Sequence, residues 1–390
     1  MRDFHIGAQK LGSLSAFYFY FYVAMQIPIG ILIDRWGAKA ILVAGSISVS
    51  LGTFLFGSTE DFGVACLGRA IIGGASAVGW LVLLKLATHW FPPRRFAMLS
   101  GLGLFFGNLG ALTAQVPLRL LIELYGWRVV VLASATLAFA IGLLSLVFVE
   151  NDPAAKGFFS FAPAGIRTQA PVSFRELFGG IRKVFEYSNT WLIFLAQGGL
   201  VGPILAFTGL WGVPYLERRY GLTAKSAAAI CSVMIICWAL ASPISGSLSD
   251  RMGRRKPIYL AGACLSTVGW LLMFYVPGLS VTLFTAVSAV TALACGSGVL
   301  GFAFSKESVP ARYVGTISGI TNIGNMLGPT LLQPVIGILL DRHWSGKLVA
   351  GSRIYDVSAF EQAFLPMLSW SALSCFLITL TRETYCEHRM

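Results

Sequence analysis

Charge is scarce in this chain. Only 12% of its 390 residues are Asp, Glu, Lys or Arg, where a soluble domain carries about a quarter, so an ordinary water-soluble globule is excluded. No Asp or Glu falls deep inside any long apolar run, which leaves no clear proton-titrating acid there. The seven cysteines give no disulfide framework. Cys66, Cys231, Cys237, Cys264, Cys295 and Cys375 lie within apolar runs and Cys386 lies in the tail; no pair has metal-ligand spacing, and the histidines do not cluster with them. No nucleophile–base pair and no phosphate loop is present, so an integral-membrane enzyme finds no support and neither a cofactor nor a metal is expected. Strand-period alternation is absent, which argues against an outer-membrane barrel. The opening "MRDFHIGAQK" is polar and the apolar run after it is too long for the core of a cleavable signal peptide.

Long apolar runs, by contrast, are plentiful. Eleven are long enough to cross a bilayer as helices: about 11–33, 40–58, 62–88, 96–117, 128–149, 189–215, 224–248, 257–276, 279–304, 314–340 and 360–380. Lipid admits little else for such runs, because backbone groups there must be satisfied internally. The expected fold class is therefore all-α integral membrane. A net charge of +12 could suggest nucleic acid, but its placement argues otherwise. Alternate loops, starting from 34–39, hold 17 basic residues against 10 on the other side, with Arg69 and Lys85 inside a span. The richer side, which includes the C-terminus, is expected to be cytoplasmic. The protein is thus expected to be a multi-pass protein of the cytoplasmic (inner) membrane.

Two stretches share one pattern, "GILIDRWGAKA" at 30–40 and "GSLSDRMGRRK" at 246–256. Gly246 lies 216 positions after Gly30, while Pro310 and Pro334 each lie 217 after Pro93 and Pro117. The chain is therefore a tandem repeat, read as an N-terminal half-bundle at 1–149, a linker at 150–188 and a C-terminal half-bundle at 189–390. Within the linker, Ser173-Phe-Arg-Glu176 has capping-box form, and Phe174, Leu177, Phe178, Ile181, Val184 and Phe185 follow at helical spacing. A short amphipathic helix on the inner membrane surface is expected there, acting as a docked linker.

With two six-helix halves, a long central loop and the doubled G-x-x-x-D-R-x-G-x-[KR] motif, the whole chain resembles the major facilitator superfamily of secondary transporters. The resemblance implies two pseudo-symmetric helical bundles that transport by alternating access. It also implies a gating role on the cytoplasmic side for Gly30, Asp34, Arg35, Gly37 and Lys39, and for Gly246, Asp250, Arg251, Gly253, Arg254 and Arg255. Ala38 departs from the pattern, standing where a basic residue is usual. The first copy also arrives early. Asp250 lies 60 residues after Thr190, whereas Asp34 lies 33 after Met1, a shortfall close to one bilayer span. Residues 3–12 also align with 219–228. The sequence is thus expected to begin in an external loop, with the first helix of the family missing and five spans in the first half against six in the second.

Polar side chains inside spans are the default pointers to a transport pathway. Arg69 leads them. Gly73, Ser76 and Trp80 share its helical face, while Lys85 lies on another and is expected to reach the interface. Arg69 with Gly73 resembles the family's fourth-helix R-x-x-x-G. An Arg at a helix centre costs on the order of 3 kcal/mol to insert, so a partner or a wet cavity is expected. Either a structural tether or contact with an anionic or zwitterionic substrate fits. Asn108 and Gln115 are expected on one face of 96–117, with Asn325 and Gln333 in matching places of the second half and Asn322 beside Asn325. The opposite stripe of 96–117, Gly103, Gly107, Gly110 and Ala114, suits close packing. Gln197, Gly198, Gly199 and Pro203 mark 189–215 as an interrupted span of the kind that builds transport sites. Tyr18 with Tyr22, and Trp238 with Ser242, form further one-face pairs. Two subclasses are disfavoured: Asn108 stands where the drug–proton antiporter signature has Pro, and 189–215 lacks the arginine of the organophosphate exchangers. The expected function is alternating-access transport of a small polar metabolite, an amino acid, peptide or organic acid, by a monomer in the lipid bilayer. No nucleic acid is involved, and any coupling ion is unspecified. The alternatives are a transporter-derived nutrient sensor or an inactive truncated transporter.

Overall fold

A computed structural model describes residues 4, 6–92, 96–161, 174–310, 313–349 and 352–386. Among them, ten helical stretches are long and apolar enough to cross a membrane. The first half supplies α1 (Ala8–Trp36), α2 (Ala38–Ser58), α3 (Phe62–Trp90), α4 (Phe96–Thr113), α5 (Val116–Tyr125) and α6 (Trp127–Phe148). The linker holds α7 (Phe174–Val184). The second half supplies α8 (Ser188–Ala206), α9 (Gly212–Tyr220), α10 (Ala224–Met252), α11 (Lys256–Tyr275), α12 (Val281–Cys295), α13 (Leu300–Glu307), α14 (Val314–Arg342), α15 (Val357–Ala363) and α16 (Leu365–Leu380). A two-residue antiparallel pair, β1 (Leu348–Val349) and β2 (Ser352–Arg353), is the strand content of the described residues.

The chain forms two compact units, 17–110 with 120–176, and 1–16 with 111–119 and 177–390. In the first unit α2 packs on α3 and α6. Small residues make that approach possible: a Cβ on Gly52 would lie 2.9 Å from the Gly68 carbonyl oxygen, and one on Gly45 would lie 2.9 Å from the Val78 side chain. Lipid gives no hydrophobic drive between helices, so such backbone approach takes its place. The outward faces are apolar, as on α6, where Leu137, Val147 and Phe148 are exposed.

The second unit holds the larger core. Rings of Phe207, Trp211, Tyr215, Trp270, Phe274 and Phe364 are fully buried, and Phe274 and Phe364 centroids lie 4.4 Å apart. Here α8 packs on α14 and α16, with Gly202 against Gly328 at the crossing. The start of α1 belongs to this unit, where Gly12 faces the Gln333 carbonyl and Gly337 faces Ala8.

Three expected spans depart from continuous α-helix. The run at 96–117 turns at Ala114–Gln115 between α4 and α5. Pro117, which has no N–H and crowds the preceding turn, accounts for the break. As a correction, Asn108 and Gln115 therefore do not share one unbroken helical face. The run from 189 passes through a π-helical segment, Phe207–Trp211, four residues after Pro203. The run from 279 contains a 3-10 segment, Gly296–Val299. Such irregular turns inside spans often mark sites of function.

The linker helix α7 forms where expected, while its capping Ser173 lies outside the described residues. Val184 is buried against Val309, Ile317 and Ile320, with Phe185 packed beside them. That side of α7 therefore docks on the second half.

Candidate functional site

The first unit builds its polar centre from α1 and α3. A Cβ on Gly73 would overlap the Tyr18 backbone, so the R-x-x-x-G pattern lets α1 lie directly on α3. The approach carries the Tyr18 ring under Arg69, with the guanidinium carbon 5.2 Å from the ring centroid. Ser76, whose hydroxyl donates to the Ile72 carbonyl at 2.7 Å, lies near the Tyr18 side chain. Tyr22 stacks on Tyr18, centroids 5.9 Å apart and planes 20° off parallel. One turn further, Gln26 is buried, and its Nε2 has no hydrogen-bond partner among the described residues. Arg69, Ser76, Tyr18 and Tyr22 are thus brought together, with the guanidinium over an aromatic face. Trp80 lies further along α3 beside Gly103 of α4, and Asn108 is half-buried on α4.

In the second unit two glutamines predicted from the repeat meet one segment. Gln115 Nε2 donates to the Thr208 carbonyl at 3.1 Å, inside the π-helical turn. The Gln333 carbonyl accepts from Trp211 Nε1 at 3.2 Å, at the other end of that turn. Among the described residues, Gln333 Oε1 is buried without a hydrogen-bond partner, as is Asn325 Oδ1. Asn322 is half-buried on α14. Gln197 is fully buried and donates to the Gly298 carbonyl at 2.8 Å, where Gly301 leaves room for its amide. It braces the 3-10 segment. Ser242 donates to the Trp238 carbonyl at 3.0 Å, so that pair does share one turn.

The two motif loops are built differently. In the first, Gly37 takes φ +85° and a Cβ there would meet the Asn151 side chain at 2.7 Å. The Lys39 N–H donates to Asn151 Oδ1 at 2.8 Å, and Lys39 Nζ to Glu150 Oε1 at 2.9 Å. That hydrogen bond, with the positive charge of Lys39 and Lys156, holds the Glu150 carboxyl below its ordinary range. Arg35 is exposed at the end of α1, and nothing packs within 4 Å of a Cβ on Gly30. The side chain of Asp34 lies outside the described set.

In the second loop, Gly253 ends α10 at φ +64°. Arg255 pairs with Glu307 at 2.8 Å, both side chains 9% exposed, and with Asp250 at 2.5 Å. Thr384 donates to Glu307 Oε2 at 2.6 Å. Glu383 accepts the N–H groups of Arg255 at 2.9 Å and Lys256 at 3.0 Å, capping α11 from the tail. Arg254 lies over the Tyr385 ring, Arg251 is exposed, and Gly246 has open space around it. Asn151, Glu307, Glu383 and Thr384 went unnoticed in the sequence because each lies far along the chain from the motif it serves. Among the described residues, no group of three or more His, Cys, Asp or Glu could hold a metal ion.

A model of the Major Facilitator Superfamily matches residues 1–333 and 199–383, and the chain belongs to this family of membrane transporters. It is 23% identical to the Probable sulfoacetate transporter SauU of Cupriavidus necator, over 92% of this chain and 86% of that protein. It is 22% identical to the Probable galactarate/D-glucarate transporter GarP of Escherichia coli, over 87% and 81%, and 21% identical to the Nitrite extrusion protein of Bacillus subtilis, over 85% and 80%. In fold it matches a bacterial homologue of the human lysosomal transporter Spinster, solved inward-facing and unoccupied. That match has a TM-score of 0.74 at 17% identity and covers 97% of this chain and 90% of that one. The nucleoside transporter NupG matches at TM-score 0.68 and 15% identity, over 96% and 90%.

Proposed function

We propose that this transporter carries a small organic anion, bearing a carboxylate or sulfonate, by alternating access. The observation behind this reading is the Arg69 guanidinium stacked on Tyr18 within the α1–α3 contact. A fixed positive charge at that depth favours an anion over a neutral solute. The names of the three relatives point the same way, since sulfoacetate, galactarate, glucarate and nitrite are all anions. Tyr18, Tyr22 and Ser76 orient the arginine; Trp80 and Asn108 supply further substrate contacts in the first unit, and Asn322, Gln115 and Gln333 supply polar contacts in the second. Gln197 has a bracing role. The motif loops act as closures on one side, which the basic excess assigns to the cytoplasm, together with the C-terminus.

The test is uptake into proteoliposomes of sulfoacetate, D-glucarate and nitrite, with uridine as a neutral comparison. Saturable uptake of at least one anion is expected. Arg69→Gln should lower it by about two orders of magnitude and Arg69→Lys by about one, because lysine loses the flat fork. Uridine uptake that survives Arg69→Gln, with no anion carried, would sink the proposal.

A further inference from the structure

We propose that Asp341 is a conformational latch, joining the start of α1 to the end of α14 on the side of the membrane opposite the two motif loops. Asp341 lies in the last turn of α14, where the negative end of its own helix disfavours a carboxylate. Its partners lie on another helix. Asp341 Oδ2 accepts the Gln9 N–H at 2.8 Å, and Oδ1 accepts the Ala8 N–H at 3.2 Å. Those two amides open α1 and have no carbonyl of their own helix to bond. The carboxylate thus caps α1 from more than 330 positions away in the chain. Tyr355 donates to Oδ1 at 2.5 Å and accepts a second contact from the Ala8 N–H at 2.9 Å. Arg353 completes the set at 3.1 Å. The side chain of Asp341 is 15% exposed, and Ala8 is fully buried.

Glycines permit the approach. A Cβ on Gly7 would lie 2.7 Å from Asp341 Oδ2, and one on Gly12 would lie 2.5 Å from the Gln333 carbonyl oxygen. Helix counting places this contact across the membrane from both motif loops, since α1 and α14 each run a full span between them. A carboxylate capping a helix start is strong when seated and is replaced by water when the helices part. Asp341 is therefore a two-position element: bonded to α1 when this side is shut, hydrated when it opens. The latch holds whatever the substrate is.

The experiment needs no substrate. In the full chain with its seven cysteines replaced, reconstituted in lipid nanodiscs, Ala8→Cys reports on the latch and Ala65→Cys, also fully buried, on the first unit. Rates of labelling by a membrane-impermeant maleimide are compared with and without Asp341→Ala. The latch predicts labelling at position 8 faster by about ten-fold or more, with position 65 unchanged. Equal rates at position 8, or a parallel rise at 65 from general loosening, would each overturn it. If Asp341→Ala cannot be purified, Tyr355→Phe with Arg353→Gln takes its place under the same criteria.

Discussion

The two motif loops carry one sequence pattern and solve its chemistry with different partners. Lys39 and Arg255 hold matching places, 216 positions apart. Arg255 turns its side chain to a buried carboxylate, Glu307, at the end of α13, and its backbone N–H to Glu383 after α16. In the first half the residue 217 positions before Glu307 is Trp90, which cannot pair with a cation through a charge. Trp90 instead donates its indole N–H to the Glu150 carbonyl at 3.1 Å, and Lys39 reaches the Glu150 carboxylate past α6. One loop is thus held by a buried ion pair and a tail cap, the other by a half-exposed pair and one asparagine. Repeat symmetry keeps the sequence pattern and a positive-φ glycine in each loop, while the glycine's ψ and the partners differ.

Breaking the buried pair should have the largest effect. Arg255→Ala leaves Glu307 charged and buried, and a loss of about 3–5 kcal/mol is expected, read as a fall in thermal midpoint of the purified protein. Should Arg255→Ala and Lys39→Ala prove equally mild, the contrast between the loops fails. Next come the two motif-loop glycines, both with positive φ. Gly253→Ala should cost about 1 kcal/mol for the left-handed backbone alone. Gly37→Ala should cost more, because at φ +85°, ψ 157° its backbone is nearly closed to residues with a Cβ and a Cβ there would also meet Asn151, whereas at Gly253 nothing among the described residues lies within 4 Å. Equal melting losses for the pair would remove both the backbone difference and Asn151 from the account. Glu383→Ala, which uncaps α11, is expected to cost about 1 kcal/mol. Lys39→Ala should shift the melting point least of these five, and high salt should erase its difference from the unmutated protein.

Acid offers a finer comparison. Arg218, Ser345 and Lys347 hold Asp356 down to about 2, below its unfolded value of about 3.9. A depressed carboxylate contributes stability above the unfolded value and loses it as pH falls through the folded one. Glu150 is shifted in the same direction. Neither group should alter stability between pH 7 and 5; a melting curve that sags within that window would point to other titrating groups.

Much of the fold was legible in the residues, because a bilayer demands long apolar helices and little else. The repeat offset located both loops and matched Gln115 with Gln333 before any geometry was known. Periodicity failed where helices cease to be regular. It carried 96–117 straight through Ala114–Gln115, although Pro117 was visible, and it could not see the π-helical or 3-10 turns. Arg69 was found because a charge in an apolar run is conspicuous. Glu307 and Asp341 lie at helix ends, where acids are common, so only three-dimensional proximity singles them out. At Gln197, composition cannot tell an amide facing a cavity from one bracing a neighbouring helix, and the structure adds its bond to the Gly298 carbonyl.

The π-helical turn at Phe207–Trp211 has a consequence for the engineering of this span. Such a turn is what one extra residue in an α-helix looks like once the flanking turns have absorbed it. Gly209, exposed within it, is therefore a removable residue. Its deletion should restore unbroken α-helix, keep Tyr215 facing the aromatic core, and withdraw the Thr208 carbonyl from Gln115. The span thus carries a one-residue switch of its own geometry, by which a straight helix can be made and compared with the irregular one.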